Sequence, residues 1–333
     1  MATSRSIIRL LPGLMPVVLA GFAWSQALPP QSAAEYPARP IRLVVPYPPG
    51  GQTDAYARLI AQGLNAAWGQ PVVVENRAGA NGLIATNLVK QASPDGYTLV
   101  FTANSAHTIG PLVRDPRPFE AVDDFTPVAI AVKYPMYLLI EQRIPARSVA
   151  EFVAYAKSPQ GQINYSSAGI GSGGHIACEL FSGATGINAR HVPYKGSAPA
   201  QLALVSGEVQ MFCDSVGNSQ ALVKEGKMRG LAITAPTRLP AAPEIPTMAE
   251  AGLPGVDVSI WLGMLGPKGM PAAIATKLNA EVVRIMQTPE IRQRAFREGT
   301  ETASATPEQF AAFMRAEQER YGKVIREKQI KAE

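Results

Sequence analysis

The segment 42–58 constrains the fold of this chain more than any other stretch. An apolar, β-branched run ends in a turn rich in proline and glycine, and the turn opens into a segment whose apolar residues recur with a 3.6-residue period. This pattern predicts a strand, a tight turn and an amphipathic helix. Gly50 and Gly51 let the backbone approach a bound group closely, and Thr53 or Asp54 can cap the helix. The free N–H groups and helix dipole of such a turn suit an anion such as a carboxylate.

Strand-like and helix-like segments alternate along the chain, which predicts an α/β fold with mostly parallel strands. The length of 333 residues favours two domains. The predicted strands cover 41–45, 72–75, 98–102, 126–132, 137–141, 163–167, 188–192, 209–212, 230–234 and 256–265. The predicted helices cover 53–68, 81–91, 148–157, 175–185, 198–206, 220–225 and 271–286, with two more beginning at Pro289 and Pro307. The last of these is expected to dock on the core.

The N-terminus is typical of a secretory signal peptide. Arg5 and Arg9 precede the apolar stretch 10–24, and a small-x-small site ends at Ala27. We therefore expect cleavage near Ala27 and an exported, periplasmic protein. No later stretch is long and apolar enough to span a bilayer.

Charge argues against a nucleic-acid partner. Residues 1–27 contain two of the 31 basic residues and none of the 26 acidic ones, so the remainder carries 29 basic and 26 acidic residues, a net charge of +3. The basic residues are scattered among acids with no basic and aromatic stripe. A mild positive field favours anionic solutes without identifying one.

The two cysteines, Cys178 and Cys213, leave two interpretations open. An even pair in an exported protein can form a disulfide. Cysteine also behaves as a small apolar residue, and two buried thiols is the interpretation that we favour.

A second glycine-rich turn, 165–175, follows a predicted strand and precedes a helix. Gly169, Gly171 and Gly174 match G-x-G-x-x-G, the fingerprint of a dinucleotide site, but no acidic residue stands about 20 positions further on. Neither turn is followed by the Gly-Lys-Ser/Thr of a phosphate-binding loop. The sequence therefore predicts no nucleotide cofactor. If two lobes face each other across a cleft, the two turns hold one ligand from both sides.

Candidate catalytic residues are sparse. Ser172 lacks the glycine two positions earlier that a nucleophile elbow requires, although one of the three histidines could supply a base for an exported hydrolase. Three histidines and two cysteines without short spacing make a metal site improbable. Asp214 ends a predicted strand and could bind a ligand amine, orient a water or cap the next helix. Trp261 is interpreted as core or hinge packing, with cleft lining as the alternative.

Several spaced motifs resemble those of the Bug receptors, the TctC-like extracytoplasmic solute-binding proteins of tripartite tricarboxylate transporters. The resemblance extends over essentially the whole chain after the leader. The matching segments are Tyr36–Asp54, Val74–Gly82, Pro94–Leu99, Ser167–His175, His191–Gly196 and Trp261–Pro271.

The resemblance implies a two-lobed type II periplasmic-binding-protein fold with a ligand cleft between the lobes. Lobe 1 would comprise residues 28–130 and 236–333, and lobe 2 residues 131–235. It implies a monomeric binding protein, not an enzyme, that captures a small aliphatic or aromatic mono- or dicarboxylate by hinge closure. The protein would deliver this ligand to membrane transporter subunits, without cofactor or metal. A receptor that reports to a membrane signalling partner stays open as an alternative.

Carried over residue by residue, the resemblance implies contacts from both turns and from the end of the third strand. Tyr47 stands where many relatives carry phenylalanine, so its hydroxyl is expected to distinguish this ligand site. Asp214 would select the far end of the solute. The implied ligand-binding residues are Tyr47, Pro48, Gly50, Gly51, Thr53, Asn104, Ser105, Ser167, Ala168, Gly169, Gly171, Ser172, His175 and Asp214.

Overall fold

The computed structural model describes residues 35–331, so the predicted signal peptide lies outside the described residues. The strands are β1 Ile41–Val45, β2 Val72–Asn76, β3 Thr98–Ala103, β4 Phe125–Glu141, β5 Ile163–Ser167, β6 Ala189–Pro193, β7 Met211–Ser215, β8 Met228–Ile233, β9 Ser259–Pro267 and β10 Glu301–Thr302. The helices are α1 Gln52–Trp68, α2 Leu83–Lys90, α3 Val149–Ala156, α4 Gly173–Thr185, α5 Ser197–Ser206, α6 Val216–Lys224, α7 Ala272–Met286, α8 Pro289–Arg297 and α9 Pro307–Glu327. A 3₁₀ turn at Ala80–Gly82 and a π-helical turn at Ser105–Ile109 complete the elements of this range.

The strands form one long sheet that divides into two half-sheets at β4. The first half-sheet has the order β2-β1-β3-β9-β4, with β10 against residues 132–133 of β4. The second has the order β8-β4-β7-β5-β6. Residues 125–135 of β4 pair with β9, and residues 136–141 pair with β7 and β8. The chain thus crosses between the half-sheets within β4.

A second crossing, residues 234–258, joins β8 to β9. Each half-sheet with its helices forms one lobe of a two-lobed α/β fold. In the first lobe α1 and α7 pack on each other, and in the second α4 and α5 pack on β7. Helix α9 contacts β4, the π-helical turn and α4, and it buries Phe310, Met314, Tyr321 and Ile325. The prediction that the last helix docks on the core is therefore confirmed.

Two features of the sheet differ from the sequence prediction. The strands are not mostly parallel, because β9 runs antiparallel to β3 and β4, and β4 runs antiparallel to β7 and β8. The predicted strands 126–132 and 137–141 are one strand of 17 residues. Pro135 lies in the gap between these two predicted strands, and it is paired with Ser259 where β4 passes between the half-sheets.

Several helix ends follow local rules. Thr306 and Gln309 form a capping box at the start of α9, with Pro307 in the first turn. Ser148, Ser172 and Ser215 accept backbone hydrogen bonds at the starts of α3, α4 and α6. Within residues 35–331, no helix combines the length and the apolar character needed to cross a membrane.

The two cysteines lie side by side in the second lobe. Cys178 on α4 and Cys213 on β7 are both buried free thiols, and burial together with contact to Cys213 raises the pKa of Cys178. They occupy the interface between helix and sheet.

Candidate functional site

The turn between β1 and α1 is open on its outer side. A Cβ placed on Gly50 or Gly51 would meet no heavy atom within 4 Å among the described residues. Gly51 is the N-cap of α1, which begins at Gln52. The prediction that Thr53 or Asp54 caps this helix is therefore wrong, since both lie inside its first turn and are buried.

Asp54 instead stabilises the turn through hydrogen bonds. Its Oδ2 accepts hydrogen bonds from the Gly50 N–H and from Arg58 Nε, each at 3.0 Å. Its Oδ1 accepts from Asn76 Nδ2 at 2.8 Å, and the same amide donates to the carbonyl of Tyr47 at 3.0 Å. The Arg58 contact, with these other donors, lowers the pKa of Asp54 to about 2. Asp54 is thus an ionised support for both ends of the turn.

The turn between β5 and α4 is packed more tightly. Gly169 and Gly171 have φ values of +127° and +76°, in the region that favours glycine. A Cβ on Gly174 would lie 2.1 Å from the carbonyl oxygen of Cys213, and one on Gly173 would lie 2.0 Å from the side chain of Ile260. The absence of side chains here lets the start of α4 sit directly against β7 and β9.

The start of α4 presents backbone donors. Ser172 is its N-cap and accepts from the N–H of His175 at 3.3 Å. The N–H groups of Gly173 and Gly174 precede the first hydrogen bond within the helix and therefore have no acceptor inside it. With the helix dipole, they favour an anion at this point.

Two stacked histidines form hydrogen bonds with residues of this turn. The rings of His175 and His191 stack with centroids 3.9 Å apart. His175 Nδ1 accepts from the N–H of Gly171 at 3.1 Å, and Ser167 Oγ lies 2.7 Å from His191 Nε2. Burial lowers the pKa of His175 to about 3 and that of His191 to about 4, so both rings are neutral at neutral pH. Ser167 is fully buried, and its hydroxyl also accepts from the N–H of Gly169 at 3.1 Å within the turn.

Asp214, one residue before the end of β7, is a buried carboxylate that accepts hydrogen bonds from four side chains. Its Oδ1 accepts from Ser197 Oγ at 2.7 Å and from Asn218 Nδ2 at 3.4 Å. Its Oδ2 accepts from Ser219 Oγ and from Gln201 Nε2, both at 2.8 Å. Burial raises the pKa of Asp214 and these donors oppose the rise. The carboxylate ties the starts of α5 and α6 to the end of β7.

These elements enclose a cavity of about 130 Å³, the first cavity, where the half-sheets meet. Most of its wall comes from the starts of α4, α5 and α6 and from the end of β7, and the remainder from the first half-sheet and the crossing strands. No lysine, arginine or histidine side chain of the described residues lines it. Its lining residues are Ser105, Tyr134, Met136, Ala168, Ser172, Gly173, Gly174, Ser197, Cys213, Asp214, Ser215, Asn218 and Ile260.

A second cavity, of about 230 Å³, separates the first turn from the start of α6. Asn218 lines both cavities. The other lining residues are Gly50, Gly51, Gln52, Ala55, Gly217, Arg294 and Glu298. The first turn therefore faces the second lobe across this space, which is also lined by the starts of α1 and α6 and by the end of α8.

The structure brings some of the predicted site residues together. Ser105, Ala168, Ser172 and Asp214 line the first cavity, and Gly50 and Gly51 line the second. The others line neither of these two cavities; they are Tyr47, Pro48, Thr53, Asn104, Ser167, Gly169, Gly171 and His175.

Tyr47 and Asn104 do not line the first cavity, but both are neighbours of Ser105, which does. The Tyr47 hydroxyl lies 3.2 Å from Ser105 Oγ. The Asn104 amide donates inward to the carbonyl of Ser259 at 2.9 Å and to Glu317 Oε1 at 3.2 Å. Trp261 is fully buried, with its indole N–H donated to Glu317, so its interpretation as packing is confirmed.

Sequence reasoning missed the residues contributed by the crossing strands. Tyr134 and Met136 on β4 and Ile260 on β9 line the first cavity. Burial, together with nearby Tyr47 and Asp214, raises the pKa of Tyr134, so its hydroxyl keeps its proton. Ser197 and Ser215 were detectable in principle, because each stands at a helix start after a glycine or a strand.

Comparison with known proteins identifies the family. The family model for the tripartite tricarboxylate transporter family receptor, TctC, matches residues 56–330. The chain belongs to this family. Across the part of this receptor that the structure describes, no three or more His, Cys, Asp or Glu side chains are grouped so as to hold a metal ion.

Solved structures agree with this assignment. One is a MatC protein from Rhodopseudomonas palustris with bound malate, 34% identical, with a TM-score of 0.77 over 87% of this receptor and 100% of that chain. An R. palustris protein with adipate is 35% identical, with a TM-score of 0.79 over 87% and 97% of the two chains. The periplasmic binding protein BugD is 32% identical, with a TM-score of 0.77 over 90% and 100%. The predicted type II periplasmic-binding-protein fold and Bug resemblance are confirmed.

Proposed function

We propose that this receptor captures a small mono- or dicarboxylate between its two lobes by hinge closure and delivers it to the membrane subunits of a tripartite transporter. The lobes are residues 28–130 with 236–333, and residues 131–235. The protein acts as a monomer in the periplasm and carries out no chemical step on its ligand.

The first cavity is the observation that carries this proposal. An anion buried there needs hydrogen bonds, because burial removes its water. The N–H groups of Gly173 and Gly174 and the hydroxyls of Ser105, Tyr134 and Ser172 supply donors. Neutral donors at helix starts stabilise a carboxylate without a paired cation. The volume of about 130 Å³ suits a small molecule.

Hinge closure is supported by how the walls are assembled. The first cavity takes Ser105 from the first lobe and the start of α4 from the second. The lobes are joined through β4 and through residues 234–258. A ligand that contacts both walls binds better to the closed arrangement, and so shifts the population toward it.

Export and transport are supported by other observations. The chain opens with a sequence typical of a signal peptide. The family model describes receptors of tripartite tricarboxylate transporters, and the solved structures include proteins with malate and adipate and a periplasmic binding protein.

Calorimetric titration tests the proposal. Malate and adipate are titrated first, followed by a panel of aliphatic, aromatic and amino-acid carboxylates, and saturable binding with unaltered ligand is expected. Gly51→Leu has an ordinary φ, so the fold tolerates it, and its side chain enters the second cavity between the first turn and the second lobe. It should oppose closure of the lobes and so lower the affinity about tenfold or more. Gly255→Leu is the matched control, since its Cβ also meets open space but lines neither cavity. Absence of binding across the panel would contradict the proposal.

A further inference from the structure

Helix α9 carries a buried carboxylate outside both cavities. Glu317 is 7% exposed. Its Oε2 accepts the indole N–H of Trp261, and its Oε1 accepts from Asn104 Nδ2 at 3.2 Å. The hydroxyl of Tyr321, one turn further along α9, also hydrogen-bonds to it. Glu317 therefore connects α9 to β9 and to the end of β3.

Asn104 is the link between Glu317 and the ligand site. It is fully buried at the end of β3, and its Nδ2 also donates to the carbonyl of Ser259 on β9 at 2.9 Å. Its Oδ1 has no hydrogen-bond partner among the described residues. The next residue, Ser105, lines the first cavity and contacts Tyr47.

The charged groups around Glu317 are few. Lys133 on β4 faces it and favours its ionised form, while the Lys133 ammonium rests over the ring of Phe313 at 4.0 Å. On α9, Tyr321 is the neighbouring titratable group. The groups on β9 and at the end of β3 that contact Glu317 are the neutral donors Trp261 and Asn104. Burial outweighs these contacts and raises the pKa of Glu317 to about 7.

Protonation of Glu317 has a specific consequence for Asn104. The ionised carboxylate accepts hydrogen bonds from both Trp261 and Asn104. The neutral acid instead carries an O–H group, which needs a hydrogen-bond acceptor of its own. A proton on Oε1, the oxygen that faces Asn104, displaces the amide N–H donor from it, and the unpartnered Oδ1 of Asn104 accepts that proton once the amide turns over. That turn exchanges the amide nitrogen and oxygen, so the bond to the Ser259 carbonyl is lost.

We propose that Glu317 is a positioning residue of the ligand site: its ionised form holds Asn104 against β9, which sets the position of Ser105 on the cavity wall. Binding is then tightest with ionised Glu317 and weakens as the solution is made acidic through neutrality. The affinity part of this inference rests on the proposed function, but the coupling of Glu317 to Asn104 and Trp261 does not.

Nuclear magnetic resonance of the ligand-free receptor tests the coupling. The indole N–H of Trp261 and the side-chain amide of Asn104 should shift together with a midpoint near pH 7. In Glu317→Gln both resonances should become insensitive to pH, while Glu319→Gln, an exposed position on the same helix, should leave the titration unchanged. A flat profile in the unaltered protein, or a titration that persists in Glu317→Gln, would overturn the inference whether or not a ligand is known.

Calorimetry with adipate and malate at pH 6 and pH 8.5 tests the effect on affinity. Ordinary carboxyl groups are ionised across this window. The unaltered receptor should bind about tenfold more weakly at pH 6, the equivalent of one hydrogen bond. Glu317→Gln should bind at pH 8.5 as the unaltered protein does at pH 6, with no further pH dependence.

Asn104→Ala gives a second test that keeps Glu317 in place. It should flatten the pH dependence of affinity while the Trp261 resonance still titrates. An equal affinity at both pH values in the unaltered receptor, or a pH dependence that survives in Asn104→Ala, would contradict the positioning role. If neither acid binds at any pH, the proposed carboxylate function fails, and the ligand-free titration decides on Glu317 alone.

Discussion

The hydroxyl of Tyr47 lies 3.2 Å from Ser105 Oγ, and this contact connects the first turn to the wall of the first cavity. Tyr47 does not itself line that cavity. If Tyr47 distinguishes this receptor from its relatives, as the sequence predicts, its effect on the ligand would pass through Ser105.

Tyr47→Phe should weaken ligand binding about fivefold, since one hydrogen bond contributes about 1 kcal/mol. Ser105→Ala should weaken binding to a similar or larger extent. The double variant should lose less binding free energy than the two single variants added together, because the residues share one contact. Calorimetry on the four proteins gives the coupling. Strict additivity would show that the contact has no role in binding.

Gly174→Ala should destabilise the receptor and impair binding, because its Cβ would lie 2.1 Å from the backbone oxygen of Cys213. We expect a loss of about 2–3 kcal/mol in the free energy of unfolding. Thermal unfolding measures the change in stability, and calorimetry measures the change in affinity.

Gly183→Ala on the same helix is the matched control. Its Cβ would approach only the end of the Lys328 side chain, at 3.4 Å or more. Position 183 is an exposed glycine inside a helix, so alanine there should be neutral or slightly stabilising. Equal stability of the two variants would show that the start of α4 is not tightly packed.

Asp54→Asn should lower the melting temperature and weaken binding, because an amide cannot accept from Gly50, Arg58 and Asn76 as a carboxylate does. Because the pKa of Asp54 is lowered to about 2, its stabilisation is present above the ordinary value near 4 and is lost as the pH falls toward 2. Asp123→Asn, at an exposed ion pair with Arg315, is the control and should change stability little. Equal melting temperatures for the two variants would contradict this role of Asp54.

The histidine pair predicts a loss of stability in acid. His175 and His191 have pKa values lowered to about 3 and about 4, so between about pH 4 and 6.5 the unfolded chain binds more protons than the folded one. The free energy of unfolding should therefore fall as the pH is lowered through this window, as urea titrations at several pH values would measure. Glu317, whose pKa is raised, acts in the opposite direction between about pH 4.5 and 7.

His191→Gln isolates the contribution of His191. Glutamine can still hydrogen-bond to Ser167 but does not titrate, so the variant should lose less stability between pH 7 and pH 4.5 than the unaltered receptor. An identical acid response in both proteins would show that His191 is not responsible.

Much of the local structure could be predicted from the sequence. The strands Ile41–Val45 and Ile163–Ser167 match their predicted bounds, because each is a short run that ends in turn residues. The direction of β9 and the continuity of β4 could not be predicted, since strand order and orientation depend on contacts distant in the sequence.

The candidate site was predictable to a similar extent. The family resemblance implied four residues that line the first cavity, and they lie at or shortly after strand ends, where a cleft between α/β lobes draws its residues; they are Ser105, Ala168, Ser172 and Asp214. Ile260 was missed because it lies within a predicted strand that resembles an ordinary core strand, whereas Tyr134 and Met136 fall between the predicted strands 126–132 and 137–141. Their place in the cavity depends on where β4 and β9 cross between the half-sheets.

A crystal structure of the receptor with whichever of malate or adipate binds more tightly would locate the ligand. We expect a carboxylate in the first cavity, with its oxygens accepting hydrogen bonds from the N–H groups of Gly173 or Gly174, and contacts to the ligand from both lobes. A ligand bound elsewhere, or held by one lobe alone, would contradict this expectation.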